Sequence, residues 1–126
     1  MKIVSVILGM FLSFGAFAES STEPVEPKFF SSCLFEGQFA SGCIEYFGAS
    51  WTDESALNYC QEQSKKGKTI ELKAEACPRN NYDSLCSNSA DKEAIVDIYV
   101  NRMPSYICKK YMSGELSKKP ADGWPQ

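Results

Sequence analysis

Gly42-Cys43-Ile44-Glu45-Tyr46-Phe47-Gly48-Ala49-Ser50-Trp51-Thr52-Asp53-Glu54-Ser55-Ala56-Leu57-Asn58-Tyr59-Cys60-Gln61-Glu62-Gln63-Ser64-Lys65-Lys66 reads as a strand, a turn and a helix, with one cysteine on each regular element. Ile44 and Tyr46 alternate with Cys43, Glu45 and Phe47, the period of a strand with two different faces. Gly48-Ala49-Ser50 is a turn. Thr52 suits an N-cap, and Asp53 and Glu54 place carboxylates at the positive end of the helix dipole. Ala56, Leu57, Cys60 and Ser64 share one helical face, and Lys65, Lys66 and Gly67 read as the last turn and its C′ glycine.

Upstream, Met1-Lys2 leads into an apolar run from Ile3 to Ala18 that ends in Ala16-Phe17-Ala18, the pattern of a secretory signal peptide. The run is short for a spanning helix, and no basic stop-transfer cluster follows it. Cleavage after Ala18 leaves a chain with 12 basic and 16 acidic residues, so nucleic acid and anionic membrane surfaces are poor partners for it. No membrane association is expected once the signal is removed, and the location expected is periplasmic or secreted. Residues 19–32, polar and proline-bearing, read as a flexible lead on which Phe29 and Phe30 could dock.

The domain expected over residues 33–114 is short of core material. Leu, Ile, Val and Phe make up only 18 of the residues from Glu19 onward, below the level at which chains become candidates for disorder. Cys33, Cys43, Cys60, Cys77, Cys86 and Cys108 supply the compensation as three disulfides, which an exported chain can form. The chain is too short for more than one domain.

Downstream, 69–76 alternates with Ile70, Leu72, Ala74 and Ala76 on one side and reads as a half-buried strand. Residues 78–83 form a loop rich in Pro, Asn and Asp; 84–87 is a short strand and 88–92 a turn. Residues 93–100 alternate again, with Ala94, Val96, Ile98 and Val100 inward. Pro104 opens a second helix carrying Ile107, Cys108 and Tyr111 on one face and stopping at Gly114. Residues 115–126 read as a loose tail in which Trp124 is either anchored or exposed. Ile44-Glu45-Tyr46 followed by a cysteine-bearing helix is echoed by Ile95-Val96-Asp97-Ile98-Tyr99 followed by another. Two such strand–helix units predict a small α+β domain, an antiparallel or mixed sheet with two helices on one face.

The cysteine pairing expected from this arrangement is Cys33–Cys43 across a glycine-bearing reversal, Cys77–Cys86 around the loop, and Cys60–Cys108 between the helices. Cys60–Cys77 is the main rival. The extended rise of about 3.3 Å per strand residue against 1.5 Å in a helix argues against it, unless the strand from Thr69 bends.

Gly42-Cys43-Ile44-Glu45-Tyr46-Phe47-Gly48, Trp51-Thr52, Leu57, Cys60, Cys77-Pro78, Cys86 and Cys108 together resemble a group of small exported bacterial cysteine-rich proteins with a G-x-C-x-E-Y-x-G motif. The chain departs from that pattern at Lys66-Gly67, where a glycine pair is usual, and at Ser84-Leu85, where a glycine often precedes the cysteine. The resemblance implies export and this fold, and no activity.

The absence of histidine removes Ser-His-Asp and Cys-His catalysis and His-ligated metals. No C-x-x-C pair supports thioredoxin-like chemistry or a zinc ribbon. No catalytic, cofactor-binding or metal-binding residue, and no cofactor, is expected. Glu45 and Asp97 occupy matching places in two strands, so a glycan hydrolase using both is a third reading, weaker than two solvated strand carboxylates. Tyr46, Phe47, Trp51 and Tyr59 could form a binding face, but in a chain poor in aliphatics they read better as core. The segment Cys77-Pro78 to Cys86 fails the spacing of a Kazal-type inhibitor yet remains a disulfide-bounded loop. The function expected is a non-catalytic binding or interaction module for an unknown protein or envelope polymer. The alternative is a secreted inhibitor or effector probing an enzyme with residues 78–84.

Overall fold

The computed structural model describes residues 26–37, 40–65, 68 and 70–125. The signal segment, most of the lead, and the expected helix C-cap at Lys66-Gly67 lie outside the described residues. Strand β1 (Phe29–Glu36) pairs antiparallel with β2 (Ser41–Phe47), with Cys33 opposite Ile44. The first helix, α1, spans Asp53–Gln63 and leads to the two-residue strand β3 (Leu72–Lys73). A 3-10 turn, Arg79–Asn81, precedes β4 (Ser84–Asn88) and β5 (Ile95–Val100). The second helix, α2 (Ser105–Met112), leads to β6 (Glu115–Lys118). All pairings are antiparallel, in the order β3-β1-β2-β5-β4-β6. The fold is thus the expected small disulfide-stapled α+β domain. Among the described residues no helix is long and apolar enough to cross a membrane.

The strand order reveals two ββαβ units, β1-β2-α1-β3 and β4-β5-α2-β6, related by a pseudo-two-fold normal to the sheet. Ile44 and Ile98 face each other where that axis passes. Cys33 lies opposite Leu72 in one unit and Cys86 opposite Leu116 in the other. Each unit has its own staple: Cys33–Cys60 joins β1 to α1, and Cys86–Cys108 joins β4 to α2. The third bridge, Cys43–Cys77, holds the loop after β3 to β2.

None of the three expected pairings forms, and strand geometry gives the reason. Side chains alternate between faces, so Cys33, opposite Ile44, points to the helix side while Cys43 points away from it. The same alternation separates Cys77 from Cys86, and Cys60 from Cys77. The helices sit over β1 and β4 with β2 and β5 between them. Three strand spacings, roughly 14 Å, far exceed the reach of a Cys60–Cys108 bridge, whose Cα atoms would have to lie within about 7 Å.

The helix-side core contains Cys33, Phe35, Ile44, Tyr46, Val96, Ile98 and Val100 from the sheet, packed on Ala56, Cys60, Met103, Ile107, Cys108 and Met112. α1 starts where Thr52 and Ser55 cap each other's backbone N–H groups. It ends earlier than expected, at Ser64. The Ser64 hydroxyl donates to the Cys60 carbonyl, and the Lys65 N–H is drawn to the Glu36 carbonyl. In α2, Met112 is buried while Tyr111, expected inward, is exposed. The helix ends because Ser113 turns left-handed and the Gly114 N–H returns to the Cys108 carbonyl. Gly48, at φ +119°, turns β2 toward α1; a Cβ there would lie 2.2 Å from the Glu93 carbonyl oxygen.

Three further boundaries differ from the sequence reading. Phe29–Ser32 belong to β1 and are not lead. Among its described residues, 70–76, the alternating segment pairs only at Leu72 and Lys73, with Ala74 and Ala76 exposed, because the chain leaves the edge to bring Cys77 under β2. The tail is not loose: 115–118 is β6, and Trp124 is buried.

Candidate contact surface

The face of the sheet away from the helices carries a second core of Cys43, Cys77, Tyr99 and Trp124, flanked by Tyr82 and Leu85. Alternation along β2 puts Cys43 and Glu45 there, and the β2–β5 register sets Glu45 directly opposite Asp97. The two carboxylates singled out in the sequence are therefore neighbours, with different surroundings. Glu45 is fully buried. Its Oε2 accepts from the Cys77 N–H at 2.8 Å and Arg79 Nε at 3.0 Å, and its Oε1 from Arg79 Nη2 at 2.7 Å. This forked pair is the geometry in which arginine outperforms lysine. The bond to Glu45 holds the Arg79 guanidinium above its ordinary pKa. Its carbon also sits 5.7 Å from the centre of the Tyr99 ring.

Asp97 accepts a 2.6 Å bond from the Ser87 hydroxyl. Burial pushes its carboxyl above the usual range; the Ser87 bond opposes this, the Glu45 charge adds to it and Arg79 offsets part. It borders a shallow cleft of about 280 Å³ shared with Pro27, Phe47 and Ile95. Burial also pushes the Tyr99 phenol up to about 12. Glu45 has both oxygens engaged and no exposed surface, so the pair does not form two open carboxylates flanking a substrate.

The loop expected to act as a probe, 78–84, is braced from beneath and from both sides. Cys43–Cys77, just before the loop, and the Glu45–Arg79 pair, at its second residue, fix its start. The C-terminal strap 119–125 closes over it. Asn80 Oδ1 accepts from the Trp124 N–H at 2.8 Å, the Trp124 indole donates to the Tyr82 carbonyl at 2.8 Å, and Arg79 Nη1 donates to the Pro125 carbonyl at 2.8 Å. Lys119 Nζ reaches the Asn80 carbonyl at 3.1 Å. Gly123, at φ +94°, permits the closure: a Cβ there would meet Asn80 Oδ1 at 2.9 Å. At the loop's far end the Asp83 carboxylate accepts from the Arg102 N–H and the Ser84 hydroxyl, bonds that hold it below the ordinary aspartate range. The outer surface that remains comprises Pro78, Asn80, Asn81 and the exposed strap residues Pro120, Ala121 and Asp122.

The aromatic group divides between core and surface. Tyr46 is fully buried, and its hydroxyl donates to the Ala56 carbonyl at 2.8 Å. Trp51 and Tyr59 pack edge-on against it and each other. Burial raises both tyrosine phenols, Tyr59 to about 12. The Trp51 indole is shared between the Phe47 and Ile95 carbonyls. Trp51 also lines a groove of about 450 Å³ with Phe29, Phe30 and Pro27. Phe47 lies half-buried on the opposite face against Phe29.

Sequence reasoning missed Arg79, Asn80 and Tyr99, and left Trp124 open between anchored and exposed; it is anchored. One signal was present: arginine occurs only twice among the 13 basic residues, and one of the two directly follows Cys77-Pro78. Among the described residues no group of three or more His, Cys, Asp or Glu is placed to hold a metal ion. No family model, curated protein or solved structure matches the chain.

Proposed function

We propose that the chain is an exported, non-catalytic interaction module that contacts a protein or envelope polymer through the braced loop 78–83 and the strap beside it. Three disulfides fit an oxidising compartment outside the cytoplasm. The signal-like start and the motif shared with small exported bacterial proteins support a periplasmic or secreted location.

The observation that carries the reading is the bracing itself. A surface turn needs few anchors to persist, yet this one holds a disulfide, a buried forked ion pair and a tryptophan strap. A loop ordered in advance loses little conformational entropy on binding, which favours recognition of a fixed shape. The same rigidity favours the second reading, an inhibitor or effector that seats the loop on an enzyme. The partner's class decides between them.

The test is capture with the immobilised, oxidised chain from its own envelope and medium, followed by hydroxyl-radical footprinting of the complex. Protection should fall on 78–83 and 119–125, and Pro78→Arg or Asn81→Arg should abolish capture without lowering the melting temperature. Protection confined to the Phe30–Trp51 groove, or capture indifferent to both substitutions, would refute the assignment.

A further inference from the structure

The two helices are equivalent in the fold and opposite in charge. α1 exposes Asp53, Glu54 and Glu62 and contains no basic residue. α2 exposes Lys109 and Lys110 and contains no acidic one. It also presents two of the largest exposed aromatic side chains among the described residues, Tyr106 at 63% and Tyr111 at 54%, with Lys110 Nζ 5.4 Å from the Tyr111 ring centre. Tyrosine is enriched at interfaces. Asp53 and Glu54 also suit the α1 dipole, as Lys109 and Lys110 suit that of α2. Glu62 stands at the unfavourable end of α1, so the dipole does not account for it.

We propose that the helix layer is a self-association surface on which a second copy of the chain docks, with α1 of each copy against α2 of the other. Topology fixes the register. Each helix runs antiparallel to the strand before it, β2 or β5, because it returns the chain to a strand parallel to that one. β2 and β5 are themselves antiparallel, so α1 and α2 are antiparallel. Turning a second copy about a two-fold parallel to the strands brings its helix layer face to face with the first. Its α1 then lies over α2, running antiparallel to it. Asp53 and Glu54 of one copy meet Lys109 and Lys110 of the other, and Glu62 meets the N-terminal end of α2 beside Tyr106. The alternative two-fold, in the sheet plane but across the strands, sets α1 on α1 and α2 on α2, and like charges oppose it. The chosen arrangement is isologous, so it closes at two copies. It leaves the braced loops facing outward on opposite sides, a bivalent module able to bridge two partners.

Sedimentation velocity of the oxidised chain across the micromolar range tests this, at low ionic strength and at about 0.1 M salt, where screening extends over only ~10 Å. The wild type should form a dimer that salt weakens. Lys109→Glu/Lys110→Glu and Asp53→Lys/Glu54→Lys should each be monomeric. An equimolar mixture of the two should recover a heterodimer, because both helix contacts are again between opposite charges. Asp53→Asn/Glu54→Gln, which keeps α1 intact, should weaken the dimer at least about tenfold and guards against misfolding of the lysine variant. A wild type that stays monomeric throughout at low salt, a dimer that survives both reversals, or a mixture that fails to re-associate while both variants melt normally overturns the proposal.

Discussion

Arg79→Met isolates the brace under the loop. The methionine keeps most of the aliphatic stem and removes the guanidinium. Glu45, with no exposed surface, then loses two of its three hydrogen bonds and its counter-charge, keeping only the Cys77 N–H. Breaking one side of a buried ion pair typically destabilises by about 3–5 kcal/mol. Two lost bonds to a charged group, at about 1.5–3 kcal/mol each, lead to the same range. At roughly 4–8 °C per kcal/mol for a domain of this size, the melting temperature falls by tens of degrees. Urea unfolding of wild type, Arg79→Met, Glu45→Gln and the double variant completes a cycle. The double variant should be more stable than additivity predicts, because the stranded charge is gone. A loss of about 1 kcal/mol or less, the value of an exposed pair, together with additivity, would show that the pair does not brace the loop.

Trp124→Ala removes the strap's anchor and should lower stability by about 3–5 kcal/mol in urea unfolding; an unchanged midpoint would mean the tail is loose after all. Asp97→Asn should raise the melting temperature at neutral pH. The Asp97 carboxyl is held above its ordinary range by burial, so its protonated form favours the native state. That stability is fully present below the unfolded value of about 3.9 and is lost as pH rises through the raised folded value. The variant's advantage should therefore grow with pH across that window and vanish in acid. Calorimetry in which the advantage is constant or reversed would contradict the burial argument.

Alternation and capping made most of the fold legible in the sequence. Ile44 and Tyr46, then Val96, Ile98 and Val100, announced the inward faces, and Thr52 with its following acids announced α1. The echo between the two strand–helix units also emerged as real pseudo-symmetry. What stayed hidden depended on which face each residue would share with distant residues. Cys33 and Cys43 are close in sequence but on opposite sides of a hairpin, and loop length alone cannot report that. Cys77 looked like a strand end because Thr69 to Ala76 alternates, whereas the chain departs after Lys73 to reach β2. Glu45 looked solvated because a charged residue at a strand position usually is; its partner comes from a loop with no periodic pattern. Trp124 in a segment with two prolines carries no local signal of the pocket it fills.

One bridge staples each helix to its own half of the sheet, while the third ties the braced loop to β2. Non-reducing peptide mapping of the native chain, cleaved with trypsin and chymotrypsin, tests it most directly. Linked peptides containing Cys33–Cys60, Cys43–Cys77 and Cys86–Cys108 are expected. A Cys77–Cys86 or Cys60–Cys108 peptide as the major species would contradict it, for the loop would then be closed on itself or the helices drawn together.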